Sequence, residues 1–131
     1  MELALLALGV LVVGIVAHQL NRNDQRHAWR SWGIDNYKIT LRYDARSLNF
    51  DGEILGDGTT LTVVDGYIVD VVGLHADIST LEEYDRFTIE GLFDLVSYYS
   101  SVHYDTVYGF PTRLGDTRHS VIEVISFEVL A

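Results

Sequence analysis

The stretch Leu61-Thr62-Val63-Val64-Asp65-Gly66-Tyr67-Ile68-Val69-Asp70-Val71-Val72 decides the fold class of this chain. Two runs rich in β-branched residues flank Asp-Gly, a turn composition that joins antiparallel strands because both turn positions need positive φ. Apolar side chains fall on both faces of the runs, so the hairpin is expected to lie centrally in a sheet or to be covered on both sides.

Working outward, Tyr37-Lys38-Ile39-Thr40-Leu41-Arg42-Tyr43 alternates apolar and polar residues, the pattern of a strand with one buried face. The Asp- and Gly-rich residues 44–60 between it and the hairpin read as a long connection or an irregular hairpin. They lack the alternating acids of a calcium loop. Beyond the hairpin, Ser79-Thr80-Leu81-Glu82 resembles a small capping box that opens a helical turn. The main helix starts at Thr88, which can cap it. Glu90 suits the positive end, and Ile89, Leu92, Phe93 and Val96 form an apolar stripe. Tyr98 and Tyr99 end that helix, Val102-His103-Tyr104 begins a strand, and residues 120–130 read as a closing strand. The fold class is therefore α+β: a small antiparallel sheet with one main helix packed on a face, preceded by a transmembrane helix.

That last element rests on Leu3 to Ala17, fifteen residues without a polar side chain. A helix of that length covers about 22 Å, short of a hydrocarbon core of about 30 Å, and His18, Gln19 and Leu20 bring it near the lower limit for spanning. Only Met1 and Glu2 precede the apolar run, whereas a signal peptide begins with a basic region, so an uncleaved anchor is expected. Leu3, Leu6, Val10, Val13 and Val16 would face lipid. The expected organisation is residues 1–20 as anchor helix, 21–33 as a polar connecting helix ending at Gly33, and 34–131 as the α+β domain. Trp29 and Trp32 share a helical face that either meets headgroups or packs on the domain; packing is the expectation. Arg22, Arg26 and Arg30 follow the anchor, and the positive-inside rule would put the domain in the cytoplasm.

Composition excludes several kinds of chemistry. With 131 residues there is room for one domain, and a net charge of −10 argues against nucleic acid, which is held through Lys and Arg. The absence of cysteine rules out disulfides, thiolate metal sites and cysteine nucleophiles. The five histidines show no ligand spacing, no GxSxG frames a serine, and no glycine pattern fits a nucleotide, so neither a cofactor nor a metal is expected. One constellation stands out in Tyr104-Asp105-Thr106-Val107-Tyr108-Gly109-Phe110-Pro111-Thr112-Arg113, which holds the only proline. On a strand, His103 and Asp105 share a face, where they could orient a general base or join a metal. Tyr98, Tyr99, Tyr104 and Tyr108 cluster around it, either as a protein-contact surface or as wedges between helix and sheet.

Four segments resemble a known family in the same order: Trp32 with Ile34-Asp35-Asn36-Tyr37, the hairpin Asp65-Gly66-Tyr67-Ile68, Thr88-Ile89-Glu90-Gly91-Leu92-Phe93-Asp94, and Tyr104 to Thr112. They are similar to a family of small bacterial exported or lipid-anchored proteins classed as a domain of unknown function. Its members carry a T-[IV]-x-x-L-F-D helix and a YDxxYGYPt segment, and the resemblance covers about residues 29 to 116. Members often have cysteines after the first strand and a lipobox, and both are missing here. The resemblance implies an α+β domain on the periplasmic side of a bacterial inner membrane, against the positive-inside count, and it carries over no catalytic residue. The functional expectation is a membrane-anchored, non-enzymatic interaction domain, an accessory subunit of a larger integral-membrane complex. It would touch lipid through its anchor and a protein partner through its domain. The alternative is a small enzyme or a metal- or ligand-binding module built on His103, Asp105 and Tyr108.

Overall fold

The computed structural model describes residues 21–45, 55–73, 78–115 and 120–131. The anchor residues Leu3, Leu6, Val10, Val13 and Val16, most of the Asp- and Gly-rich connection, and His18, His75 and His119 lie outside the described residues. Among the described residues no helix is long and apolar enough to cross a membrane.

Residues 21–31 form helix α1. Short closing bonds from Trp32 N to Trp29 O (3.2 Å) and from Gly33 N to Arg30 O (3.1 Å) end it, and Gly33 turns the chain at φ +62°. Strand β1 (Tyr37–Ala45) follows, then β2 (Thr59–Val64) and β3 (Tyr67–Gly73). A 3₁₀ segment (Ile78–Phe87), helix α2 (Ile89–Leu95) and a 3₁₀ turn (Val96–Tyr98) come next, and β4 (Ser101–Tyr104), β5 (Pro111–Gly115) and β6 (Ser120–Val129) close the chain. The strands form one six-stranded sheet in the order β3-β2-β1-β6-β5-β4, and every neighbouring pair is antiparallel. The closing strand β6 thus lies beside the opening strand β1, and the helical stretch after β3 carries the chain from one edge of the sheet to the other. The protein is an α+β domain built on an antiparallel sheet, as its alternation and turn chemistry predict.

Local chemistry explains most elements. Asp65 and Gly66 take φ of 52° and 82°, the two positive values the hairpin turn requires. Thr88 caps α2 by accepting the Gly91 N–H at 3.1 Å, and Ile89, Leu92 and Phe93 are its buried stripe. On β1, Tyr37, Ile39, Leu41 and Tyr43 are buried, and they pair across with Val63, Leu61 and Thr59 of β2 and with Phe127, Val124 and Ile122 of β6 on the same face. Trp29, Tyr84, Phe87 and the α2 stripe close over that face. The opposite face bears Lys38, Arg42 and a Thr40–Thr60 hydroxyl pair at 2.8 Å, and no helix among the described residues covers it.

Three expectations change. The hairpin is not central: β3 is an edge strand whose Tyr67, Val69 and Val72 are exposed. β-Branched and aromatic residues favour extended backbone whether or not anything covers them, so their density did not report burial. The segment before α2 is a ten-residue 3₁₀ stretch rather than one turn. Finally, three strands rather than two follow the helix, because β4 and β5 form a separate hairpin bulged between His103 and Tyr104.

Candidate functional site

The stretch from Tyr104 to Pro111 forms the loop of the β4–β5 hairpin, and its side chains build a seat for α1. Asp105 accepts the backbone N–H groups of Val107 (3.0 Å) and Tyr108 (2.7 Å), while its own N–H donates to Phe110 O at 2.8 Å. This tightens the loop so that Gly109, at φ +87°, lies against α1: a Cβ there would sit 2.9 Å from Gln25 O and 3.3 Å from the Ala28 Cβ. Gln25, Ala28, Trp29 and Trp32 are spaced i, i+3, i+4, i+7 and line the side of α1 that meets this loop. Trp29 is buried, with its ring edge-on to Tyr37 (5.8 Å), Phe110 (5.9 Å) and Phe127 (5.9 Å). Trp32 stays half in water and meets Tyr108 at 5.0 Å. The two tryptophans pack on the domain.

A second stripe of α1 carries Arg22, Arg26 and Arg30 at i, i+4 and i+8, and the last two turn to α2. Arg30 grips both Glu90 oxygens, Nε to Oε1 at 2.9 Å and Nη2 to Oε2 at 3.1 Å. Arg26 reaches Glu90 Oε2 at 3.0 Å and Asp94 Oδ1 at 3.1 Å, and its guanidinium lies 5.6 Å from the Phe93 ring centre. Partial burial pushes the Glu90 carboxyl up, but the hydrogen bonds from Arg30 and Arg26 outweigh it and leave the group below its ordinary value. Glu90 and Arg30 also border an open cleft of about 170 Å³ floored by Trp29 and Tyr37. Two of its polar groups are engaged: Tyr37 Oη accepts the Ile89 N–H at 3.0 Å, and the Thr88 hydroxyl donates to Asp85 O at 2.8 Å. Burial pushes the Tyr37 phenol up to about 12, with the Ile89 N–H pulling the other way.

The candidate residues from the sequence scatter over these roles. Tyr98 stands out in solvent at 80% exposure, while Tyr99 packs half-buried against the core. Tyr104 stacks on Phe93 at 6.3 Å; its hydroxyl is buried without a hydrogen-bond partner, and desolvation raises its pKa while Arg22 opposes the rise. Tyr108 belongs to the aromatic seat, stacked on Phe110 at 6.3 Å and edge-on to Phe127 at 5.2 Å. His103 is exposed on β4, and no hydrogen bond or ion pair links it to Asp105 or Tyr108. The structure brings Asp105 and Tyr108 together as parts of the seat and leaves His103 apart. Among the described residues no group of three His, Asp or Glu could hold a metal ion.

Sequence reasoning missed the clamp of Arg26, Arg30, Glu90 and Asp94. Its signal was present in the matching i, i+4 spacings of Arg26 and Arg30 and of Glu90 and Asp94, but that spacing does not say that the two helices meet. No family model, curated protein or solved structure matches the chain.

Proposed function

We propose that this chain is a membrane-held, non-enzymatic interaction domain and serves as an accessory subunit of a larger integral-membrane assembly. One observation carries the reading: the apolar run Leu3 to Ala17 leads within four residues into α1, and α1 is fastened to the domain through Trp29, Gly109 and the two arginines. A Gly- or Ser-rich linker would let the domain roam. With α1 docked, only residues 18–20 separate the apolar run from the packed domain, which suits a protein that meets a neighbour in the same membrane.

We place the domain on the periplasmic side of a bacterial inner membrane, the side implied by the family that the Thr88–Asp94 and Tyr104–Thr112 segments resemble. Arg26 and Arg30 neutralise Glu90 and Asp94 in the folded domain. They therefore have a folding reason to follow the apolar run, and their presence weighs less as a sign of cytoplasmic placement.

Expression of the full chain in a bacterium tests this. The chain should stay in the membrane pellet after carbonate washing, and protease added to spheroplasts should digest the domain. Partners should co-purify from mild detergent. Recovery in the carbonate supernatant would end the membrane-held reading, and protection in intact spheroplasts would reverse the orientation. A chain that leaves detergent alone would remove the accessory-subunit role.

A further inference from the structure

Exposed apolar side chains gather at one edge of the sheet. Tyr67 is 77% exposed, Val69 54%, Val72 61% and Val64 36%, all on or beside β3. The outer side of β3 pairs with no other strand among the described residues. Natural edge strands are blunted by charged side chains, proline, bulges or brevity. The opposite edge follows that habit, with β4 only four residues long and exposing Ser101 and His103. β3 is seven residues, Tyr67-Ile68-Val69-Asp70-Val71-Val72-Gly73, with neither lysine nor arginine nor proline. Its pairing with β2 is bulged, so Val69 has no residue opposite it.

Among the described residues the exposed charge around this edge is mostly acidic. Asp65 stands exposed in the turn and Asp70 half-buried in the strand. The 3₁₀ segment packed against β3 exposes Glu82, Glu83 and Asp85. The described basic groups in this part of the fold are Lys38, two strands inward, and Arg86, whose guanidinium lies 5.5 Å from the Phe87 ring centre. A second copy joined β3 to β3 would set these acids against their own duplicates, across an interface whose apolar strip does not escape them.

We propose that β3 is a docking edge that takes an extended segment of another protein chain, alternating apolar with Lys or Arg residues, as an added antiparallel strand. The added strand bonds to the outward N–H and C=O groups of β3, its apolar residues cover Tyr67 and Val72 on the face away from the 3₁₀ segment, and its basic residues meet Glu82 and Glu83 on the other face. This names the kind of partner for the interaction domain proposed above and rests on that reading.

The test uses the full chain in detergent micelles with a fluorescein-labelled synthetic peptide alternating valine and lysine, and a matched valine–glutamate peptide. The lysine peptide should bind at least about tenfold tighter, as complementary charge predicts. It should slow amide hydrogen exchange across 67–73 and leave 101–104 unchanged. The variant Tyr67→Lys/Val72→Lys should lose binding while keeping the wild-type melting curve; Glu82→Lys/Glu83→Lys, on exposed 3₁₀ positions, should weaken it as well. Equal binding of the two peptides, protection away from β3, or indifference to both variants overturns the proposal. So does self-association that protects the same amides without peptide, which would assign the edge to a second copy. Carbonate extraction of the same samples separates the two readings: β3 protection in a carbonate-soluble chain leaves the docking edge standing and removes the membrane, and the converse removes only the edge.

Discussion

Replacing Gly109 by alanine probes the seat on which α1 rests. The residue sits at φ +87°, where an L side chain is strained by about 1–2 kcal/mol. The added methyl would also lie 2.9 Å from Gln25 O and 3.1 Å from Gln25 Oε1. The nearer atom is backbone inside a helix, so either α1 or the loop must shift, and overpacking of that kind costs about 1–3 kcal/mol. The two effects together lower stability by about 2–5 kcal/mol, and a domain of this size loses about 5 °C of melting temperature per kcal/mol. Gly33→Ala is the control: its φ is +62° but nothing lies within 4 Å of the new Cβ, so only the strain of about 1–2 kcal/mol remains. Thermal melts of the full chain in detergent, followed by circular dichroism, should rank wild type above Gly33→Ala and Gly33→Ala above Gly109→Ala. Trypsin should cut after Arg26 and Arg30 fastest in Gly109→Ala. Adding Gln25→Ala should recover little, because the closest contact is to backbone. If Gly109→Ala melts no lower than Gly33→Ala, the close approach of the loop to α1 is not what the glycine is for.

Trp29→Ala empties the aromatic pocket beneath α1 and should lower stability by about 3–5 kcal/mol in denaturant titration, with residues 21–31 gaining protease sensitivity. Glu90 has a depressed carboxyl, so its contribution is complete above its unfolded value of 4.5 and fades as pH falls through its lower folded value. The clamp is about half exposed, so that contribution should amount to about 1 kcal/mol, and in Glu90→Gln this part of the acid-side slope should vanish from the stability–pH curve. Tyr37→Phe leaves the Ile89 N–H without its acceptor and should cost about 1–3 kcal/mol in chemical denaturation. Ultraviolet titration of the wild type should show one phenol ionising near 12 that disappears in this variant. Asp105→Ala removes the acceptor of two loop N–H groups and should lower stability by about 1–2 kcal/mol, whereas Asp105→Asn, which keeps an acceptor oxygen, should stay near wild type in the same melts.

What the sequence determined by itself is the set of features that depend on near neighbours. The alternation from Tyr37 to Tyr43 set one face of β1, Asp65-Gly66 set the hairpin turn, and Thr88 with its stripe set α2, because pleat, turn φ and helix capping act over two to four residues. The Tyr104–Thr112 stretch was also legible as special, but its purpose was not. Nothing local shows that Asp105 hydrogen-bonds its own loop, or that Gly109 is needed by a helix more than 75 residues earlier. Tertiary structure alone decided which strands are edges, because extended backbone is favoured with or without a neighbour; hence β3 ended at the rim with Val69 and Val72 in water. It also decided that Arg26 and Arg30 answer Glu90 across 60 or more residues of chain. Charge pairing needs only proximity in space, and proximity is what folding, and no local spacing, supplies.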